Sequence, residues 1–279
     1  MTKILLFEDF SNYHVFLRQG LLARGYDVDL YSQGDFYKQT ERSIKRKKRI
    51  RLLDVRDFLA SRKLILKYDV VQFIGVSAFR DNLLLWAWFW LRGKRYRHKL
   101  YLAAVGCDYV FFKSGTKHLK IDLFKECKAY DPDYYRRKFS LKSRVCSHVM
   151  LKAVSGVIGV NEYYEAYKGL ETTKKPIPQP IEIKHYPFEN RCFQKKLVIF
   201  HGLHEGREGF KGTHHIRKAF DIANQKYPDE VECICAGGMS YKAYLDFIKK
   251  VDVIFDQTNM VCYSMTGLAG LASGKIVGC

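Results

Sequence analysis

The stretch HGLHEGREGFKGTHHIRKAF (201–220) combines glycines with positively charged side chains where a strand pattern gives way to a helix pattern. Glycine lets backbone N–H groups approach a ligand closely, and the N-terminus of a helix carries partial positive charge. Arg207 and Lys211 add full charges to the same turn. These residue types at this spacing could hold an anion such as a phosphate. A surface loop in which Thr213 caps the following helix is the alternative.

Polar side chains that could act on a hydroxyl group follow two of the predicted strands. Asp9, Ser11, Asn12 and His14 come after the first strand, KILLF, and Asp108 comes after the fourth, KLYLAAV. Ligands of open α/β sheets bind beyond the carboxyl ends of the strands, so we expect an acceptor substrate here, with Asp108 and His14 as candidate catalytic groups. The alternatives are that Asp9 and Asn12 cap the first helix and that His14 is a structural histidine.

The formal net charge of +19, from 48 Lys and Arg against 29 Asp and Glu, favours polyanionic partners. The basic residues concentrate at 42–51, 92–99 and 138–152. We predict that these clusters bind an anionic membrane surface, with a solvated helix face as the alternative. No RRM, KH, helix-turn-helix or zinc-finger pattern appears, so no nucleic-acid partner is expected. A basic nucleic-acid-binding protein is nevertheless the rival class.

The cysteines and histidines indicate neither disulfides nor a metal site. The eight cysteines lack paired spacings and MTKILLFEDF is not a secretion signal, so the thiols are expected to be reduced, in the cytoplasm. His214 and His215 are adjacent on a predicted helix, are expected to point in different directions, and suggest no metal. The apolar run LLLWAWFWL (83–91) is shorter than the roughly 20 residues of a membrane span. A helix between two strands of a parallel sheet must bury an apolar face, and its tryptophans, two residues apart, are expected to spread around it and to have a structural role.

Strand patterns alternate with helix patterns along the whole chain, which predicts parallel sheets covered on both faces. We predict two Rossmann-like, doubly wound α/β domains, at 1–175 and 191–279, joined by a proline-containing linker at 176–190. The chain stops in KIVGC, which has a strand's character, so the second domain is expected to be truncated. No G-x-G-x-x-G, Walker or G-x-S-x-G motif occurs, and no cofactor is expected.

Four segments resemble the GT-B glycosyltransferases of family 4 (group 1). The two most specific are HGLHEGREGFKGTHHIRKAF, with Lys-Gly before a helix, and VDVIFDQTNMVCYSMTGLAGLASGKIVG, with Gly-Lys before a strand. EDFSNYHVFLRQGLLARGYDVDLYS is similar to the opening of these enzymes, and VIGVNEYYEAYKGL to their segment before the linker. The resemblance covers nearly all of the chain and implies the GT-B fold.

The resemblance also implies a nucleotide-sugar donor and transfer, with retention, to a lipid-linked glycan acceptor in cell-surface polysaccharide synthesis. The residues it places against the donor diphosphate are Gly202, Arg207, Lys211 and Gly212. Those it leaves for the sugar and nucleotide are Asp256, Gln257, Tyr263, Ser264, Met265, Thr266 and Gly267. Cations can replace a divalent metal in stabilising the departing diphosphate. Asp131-Pro132-Asp133 lies in a polar segment rather than at a strand end, so we predict metal independence.

One departure from the family pattern concerns its paired glutamates. Aligned on Gly274 and Lys275, these glutamates fall on Val261 and Ala269. The family's glutamates contact the sugar and the ribose, so donor recognition is expected to differ. A catalytically inactive glycosyltransferase-like binding module is therefore a second alternative.

Overall fold

The computed structural model describes residues 1–34, 44–46, 53–79, 82–118, 124–188, 196–204, 206–260 and 263–279. Contacts divide the chain into two compact units, Met1–Lys120 with Arg137–Pro180 and Ile121–Arg136 with Ile181–Cys279. Residues 121–136 therefore pack with the second unit, although they lie within the stretch assigned above to the first domain.

Strands and helices alternate along both units. The strands are β1 (Lys3–Phe7), β2 (Asp27–Ser32), β3 (Ile44–Lys45), β4 (Val70–Ile74), β5 (Leu100–Ala104), β6 (Gly156–Gly159), β7 (Leu197–Gly202), β8 (Val231–Ala236), β9 (Val253–Phe255) and β10 (Ile276–Gly278). The α-helices are α1 (Tyr13–Leu22), α2 (Val55–Lys67), α3 (Leu83–Arg92), α4 (Tyr109–His118), α5 (Lys125–Tyr130), α6 (Pro132–Lys138), α7 (Leu141–Ala153), α8 (Asn161–Tyr167), α9 (Glu208–Lys211), α10 (Thr213–Lys226), α11 (Tyr241–Ile248) and α12 (Met265–Ala272). Short 3-10 helices lie at Gly93–Lys99 and Ile183–His185.

The first unit contains a parallel sheet with the strand order β3-β2-β1-β4-β5-β6. Leu5, Leu6 and Phe7 of the central β1 are at most 1% exposed, because helices cover both faces of such a sheet. The strand order changes direction between β1 and β4, which in sheets of this kind is where ligands bind. The loops after β1, β4 and β5 therefore lie where a ligand of such a sheet would bind.

Helix α3 illustrates how local signals and packing combine. It begins where the Asn82 side chain accepts hydrogen bonds from the N–H groups of Leu84 and Leu85. Trp86 is 8% exposed, whereas Trp90, one turn further along and near the end of the helix, is 60% exposed. Trp88, on another side of the helix, is half-buried and stacks on Tyr96 with ring centres 5.8 Å apart, so the tryptophans spread around the helix. In the described part of the chain no helix combines the length and apolarity needed to cross a membrane.

The second unit contains a smaller parallel sheet with the strand order β10-β9-β7-β8. Phe200 of β7 and Ile254 of β9 are at most 1% exposed and form the centre of its core. Helix α12 lies close to this sheet because Gly270 has no side chain, since a Cβ there would stand 2.7 Å from Ile254 Cδ1. Two parallel α/β units, the second smaller, confirm the predicted fold class.

A buried ion-pair network joins the end of β1 to β3 and α2. Arg46 has no exposed surface and donates from Nη1 to Glu8 Oε1 at 2.8 Å and from Nε to Asp57 Oδ1 at 2.9 Å. Asp57 also accepts from Asn82 Nδ2 at 2.8 Å. Arg46 belongs to the cluster 42–51 that was predicted to bind a membrane surface. That prediction is wrong for Arg46, because its guanidinium is buried in ion pairs with Glu8 and Asp57. Residues 42–43 and 47–51 of the same cluster lie outside the described residues.

We expect Arg46→Ala to lower the free energy of unfolding of the first unit by about 3–5 kcal/mol, because it leaves two carboxylates buried without a cation. Urea unfolding followed by circular dichroism measures the change. Lys45→Ala, at the exposed neighbouring position of β3, is the matched control and should change stability by less than about 0.5 kcal/mol. Equal effects of the two substitutions would contradict the buried network.

Candidate functional site

The loop between β1 and α1 is held in an unusual backbone conformation. Glu8, Ser11 and Asn12 have φ angles of 65°, 54° and 66°, in the left-handed region that residues with a Cβ seldom occupy. Asp9 stabilises the loop by accepting hydrogen bonds from the N–H groups of Asn12 at 3.2 Å and His14 at 2.7 Å. Such strain persists where surrounding contacts over-determine it, and it concentrates at ligand-binding sites. Asp9 therefore positions the loop rather than facing a substrate.

Asn12 and Ser11 are the members of this loop that could meet a ligand. Ser11 is exposed. Asn12 is 5% exposed, and its Oδ1 atom has no hydrogen-bond partner among the residues that the structure describes. An unsatisfied buried acceptor costs about 1–3 kcal/mol and is available to a hydroxyl or amide donor of a ligand.

His14 is a structural histidine, so its assignment above as a catalytic group is wrong. The ring is fully buried, with Nδ1 against the Glu8 carbonyl oxygen and Nε2 3.2 Å from Gln72 Nε2. Burial lowers the pKa of His14 to about 4, although the hydrogen bond to Glu8 opposes the shift. The ring is neutral at pH 7, and Nδ1–H donates to the carbonyl while Nε2 accepts from the amide.

Asp108 lies at the start of α4 and is 7% exposed. Its Oδ1 accepts from the N–H of Phe111 at 3.0 Å, and its Oδ2 accepts from the hydroxyl of Tyr167. Burial raises the pKa of Asp108, and the hydrogen bond from Tyr167 partly opposes this shift. A carboxyl with a raised pKa at the carboxyl end of a sheet suits proton transfer, so Asp108 retains its candidacy.

In the turn around α9, which was predicted to bind an anion, backbone N–H groups are hydrogen-bonded to a carboxylate of the protein itself. Gly209 and Phe210, in the four-residue α9, donate their N–H groups to Asp131 Oδ2 at 3.0 and 3.3 Å. The guanidinium of Arg207 lies 5.5 Å from the centre of the Tyr134 ring, a cation–π contact that orients it. The binding of an external phosphate at this turn stays a prediction.

Lys211 is not the loop lysine that the sequence suggested. It ends α9, is 9% exposed, and its Nζ lies 3.3 Å from Asp256 Oδ1. Asp256 in turn accepts hydrogen bonds from the hydroxyl of Ser264 at 2.6 Å and the N–H of Gly267 at 3.2 Å. The ion pair thus fixes the N-terminus of α12, and Lys211 acts through Asp256.

Gly212 joins α9 to α10 and is the residue that precedes α10, with φ of 69°. A Cβ at this position would lie 1.9 Å from Thr258 Oγ1, so both the backbone and the space require glycine. Thr213 was proposed as the helix cap, which is wrong. It is the first residue of α10, and its Oγ1 lies 3.0 Å from Nε2 of the buried His201.

The remaining donor-side candidates surround the start of α12. Gln257 and Gly267 are buried, and Gly202, Tyr263, Met265 and Thr266 are half-buried. Ser264 caps α12 by accepting from the N–H of Thr266. Of the two positions that depart from the family pattern, Val261 lies outside the described residues and Ala269 is buried against the sheet.

His214 and His215 converge on one side chain, so the expectation that they point in different directions is wrong. Both Nε2 atoms approach Glu126 of α5, at 3.3 Å from Oε2 and 2.7 Å from Oε1 respectively. Neighbouring side chains in the first turn of a helix can both bend toward a partner placed between them. Glu126 comes from a distant segment, so no spacing in the sequence could have indicated the contact.

Several groups that organise these loops were not singled out from the sequence. Glu8 carries a simple signal that it shares with Asp256, which the sequence did single out: each is the acidic residue directly after a central strand. Tyr167, His201 and Asp131 carry no such signal, since their partners lie 12 to 78 positions away.

Comparison with known proteins shows likeness in structure but not in sequence. No family model and no curated protein sequence matches the chain. An alpha-glucosyltransferase solved with UDP-glucose and DNA containing an abasic site is 11% identical, with a TM-score of 0.56 over 99% of this chain and 79% of that chain. MnaA of S. aureus, solved with UDP, is 10% identical, with a TM-score of 0.55 over 99% and 79%. The UDP-GlcNAc 2-epimerase of Methanocaldococcus jannaschii is 9% identical, with a TM-score of 0.51 over 98% and 81%.

These likenesses agree with two Rossmann-like units of GT-B type, and at such identities they show the fold alone. Membership of family 4 stays a prediction.

The depressed pKa of His14 makes stability depend on pH. The neutral His14 ring contributes to the free energy of unfolding. This contribution is fully present above the pKa of about 6.5 in the unfolded chain and is lost as the pH falls through the pKa of about 4 in the folded chain. Between pH 7 and pH 5 we expect the wild type to lose about 2 kcal/mol that His14→Gln does not lose. Urea midpoints at both pH values measure the difference. His148→Gln, at an exposed position of α7, should keep the wild-type slope; a common slope in all three proteins would show that His14 titrates normally.

Proposed function

We propose that this chain is a glycosyltransferase that takes a sugar from a nucleotide-sugar donor. The observation that supports the proposal is the turn around α9, which follows β7 in a GT-B-type fold, contains Arg207, and holds the Asp131 carboxylate with the N–H groups of Gly209 and Phe210. The similar solved structures support it, because one was solved with UDP, one with UDP-glucose, and one is a UDP-GlcNAc 2-epimerase. The proposed donor is accordingly a nucleoside diphosphate sugar.

Transfer of the sugar requires stabilisation of the nucleoside diphosphate that departs. Negative charge grows on this group as the bond to the sugar breaks, and fixed cations and N–H dipoles act most strongly on charge that develops in the transition state. We assign this task to Arg207 with the backbone at Gly202 and Gly212. Lys211 holds Asp256, and so positions the α12 residues Ser264–Gly267 for the sugar and nucleotide.

The acceptor is proposed to bind at the first unit, beside Ser11, Asn12 and Asp108. Deprotonation of an acceptor hydroxyl is a role that suits Asp108, whose raised pKa makes it a stronger base than an ordinary aspartate. Asp9 and His14 hold the loop between β1 and α1 in place without touching the substrate.

The proposed acceptor is a glycan linked to a lipid, reached at the cytoplasmic face of a membrane. Its support is the α3–α7 surface, defined here as the exposed apolar side chains Trp90, Leu91 and Leu141 with the cations beside them. The three side chains are 60%, 75% and 75% exposed. The exposed cations on α3, on the 3-10 helix that follows it and on α7 include Arg92, Lys94, Arg95, Lys142, Arg144 and Lys152. Exposed apolar side chains together with cations are typical of proteins that lie on anionic lipid.

Epimerisation of a UDP-sugar is the second candidate, because a UDP-GlcNAc 2-epimerase is among the similar structures. Incubation of UDP-GlcNAc without any acceptor separates the two activities. Inversion at C2 with the diphosphate retained would favour the epimerase, whereas release of UDP only with an acceptor would favour the transferase. Binding without any turnover would favour an inactive binding module.

We expect Arg207→Gln to weaken UDP binding about tenfold to a hundredfold, since it removes a charge-assisted contact worth about 1.5–3 kcal/mol. Isothermal titration calorimetry with UDP measures the change. Lys226→Gln removes an exposed cation from the last turn of α10 and is the matched control. Lys211 is unsuitable for this test, because its loss would strand the buried Asp256. Equal UDP affinities in both folded variants would remove Arg207 from the donor site.

We expect Trp90→Ser combined with Leu91→Ser to reduce binding to vesicles that contain phosphatidylglycerol, most clearly at low salt, where each nearby cation contributes about 1 kcal/mol. Co-sedimentation measures the bound fraction. Ile222→Ser removes an apolar side chain of similar exposure, 54%, from α10 and should leave binding unchanged. Failure of the wild type to bind, or equal binding by all three proteins, would identify the α3–α7 surface as merely solvated.

A further inference from the structure

Glu126, His214 and His215 form a compact cluster within the second unit, and neither the fold nor the proposed donor chemistry uses it. One ligand-type atom from each side chain can be chosen so that all three lie within 4.8 Å of one another. Glu126 comes from α5 and the two histidines from the first turn of α10. The rings of His214 and His215 are tilted by 42° relative to each other, with centres 4.0 Å apart.

His214 is the anomalous member of the cluster. Both of its ring nitrogens are hidden from solvent and have no hydrogen-bond partner within the described ranges. Nε2 lies 3.3 Å from Glu126 Oε2 but outside hydrogen-bond geometry, and Tyr130 stacks on the ring at 4.1 Å. A histidine held by an aromatic ring with two unsatisfied nitrogens needs a further partner, because buried polar atoms are otherwise paired.

We propose that Glu126, His214 and His215 bind a divalent metal ion of the zinc type. Two imidazoles and one carboxylate are ligands that Zn²⁺ accepts, at about 2.0–2.2 Å each. Ligand atoms around one tetrahedral ion at that distance stand about 3.4 Å apart, close to the 3.3 Å between His214 Nε2 and Glu126 Oε2. His215 Nε2, now hydrogen-bonded to Oε1 at 2.7 Å, must move outward slightly to admit the ion.

A hydrogen bond from a neighbouring side chain holds the Glu126 carboxylate in place. Asn259 Nδ2 donates to Glu126 Oε2 and also to the Gly209 carbonyl oxygen at 2.7 Å, so it fixes the carboxylate from behind. Groups of this kind orient the ligands of metal sites.

The site is accessible and joins separate segments. The His215 side chain is 53% exposed, which gives an ion a route from solvent. A bound ion would tie α5, in the segment 121–136, to the start of α10. Because the ion binds the folded arrangement, it should stabilise the second unit by mass action.

The test uses the full chain, freed of metal with a chelator and titrated with Zn²⁺ against a chromophoric competitor. We expect one equivalent to bind to the wild type and binding to weaken at least about tenfold in Glu126→Gln, His214→Gln and His215→Gln. His148→Gln removes an exposed histidine from the first unit and should bind like the wild type. Zn²⁺ should also raise the melting temperature of the wild type and of His148→Gln, but not of the three cluster variants.

Co²⁺ distinguishes this cluster from binding at the thiols of Cys233 and Cys235. Nitrogen and oxygen ligands give visible d–d bands without the near-ultraviolet charge transfer of a thiolate. Spectra without that charge transfer in the wild type, lost in the cluster variants, support the site even if one variant proves unstable. Absence of Zn²⁺ binding by the wild type, equal affinities in all variants, or a thiolate spectrum would overturn it.

Discussion

A carboxylate placed directly after a central strand, and neutralised by a buried cation, is the constraint on which both units depend. In the first unit Glu8 follows β1 and binds Arg46; in the second, Asp256 follows β9 and binds Lys211. A charge of either sign is costly to bury alone, so each pair obliges the loops that carry it to adopt one conformation. The strained backbone at Glu8 and the start of α12 both follow from these pairs.

Two helices of the second unit, α9 and α12, have N-terminal N–H groups that are hydrogen-bonded to carboxylates of the same unit. Asp131 accepts from the first N–H groups of α9, and Asp256 accepts from those of α12. Such positions are where an external phosphate would bind in an α/β fold. A nucleotide sugar that uses the turn around α9 must therefore share it with Asp131 or displace that carboxylate, which provides a means of tuning donor affinity.

The first unit separates residues that build its loop from residues that could act. Asp9 and His14 are residue types that often act in catalysis. Here their side chains form hydrogen bonds that stabilise the loop between β1 and α1. Asp108 differs because burial acts on a carboxyl whose partners, Tyr167 and Phe111, leave it with a raised pKa. The difference lies in the partners rather than in the residue types.

The sequence by itself determined the main strands and helices of both units and their parallel pairing. These depend on apolar periodicity, glycine and charge within a few neighbouring residues, which a sequence displays directly. Only the tertiary structure decided which charged groups are engaged in ion pairs or hydrogen bonds with distant residues. Arg46 and Glu8 are 38 positions apart, Lys211 and Asp256 are 45 apart, and Glu126 and Asn259 are 133 apart. Whether a side chain is paired, desolvated or available depends on such distant partners, and no local pattern records them.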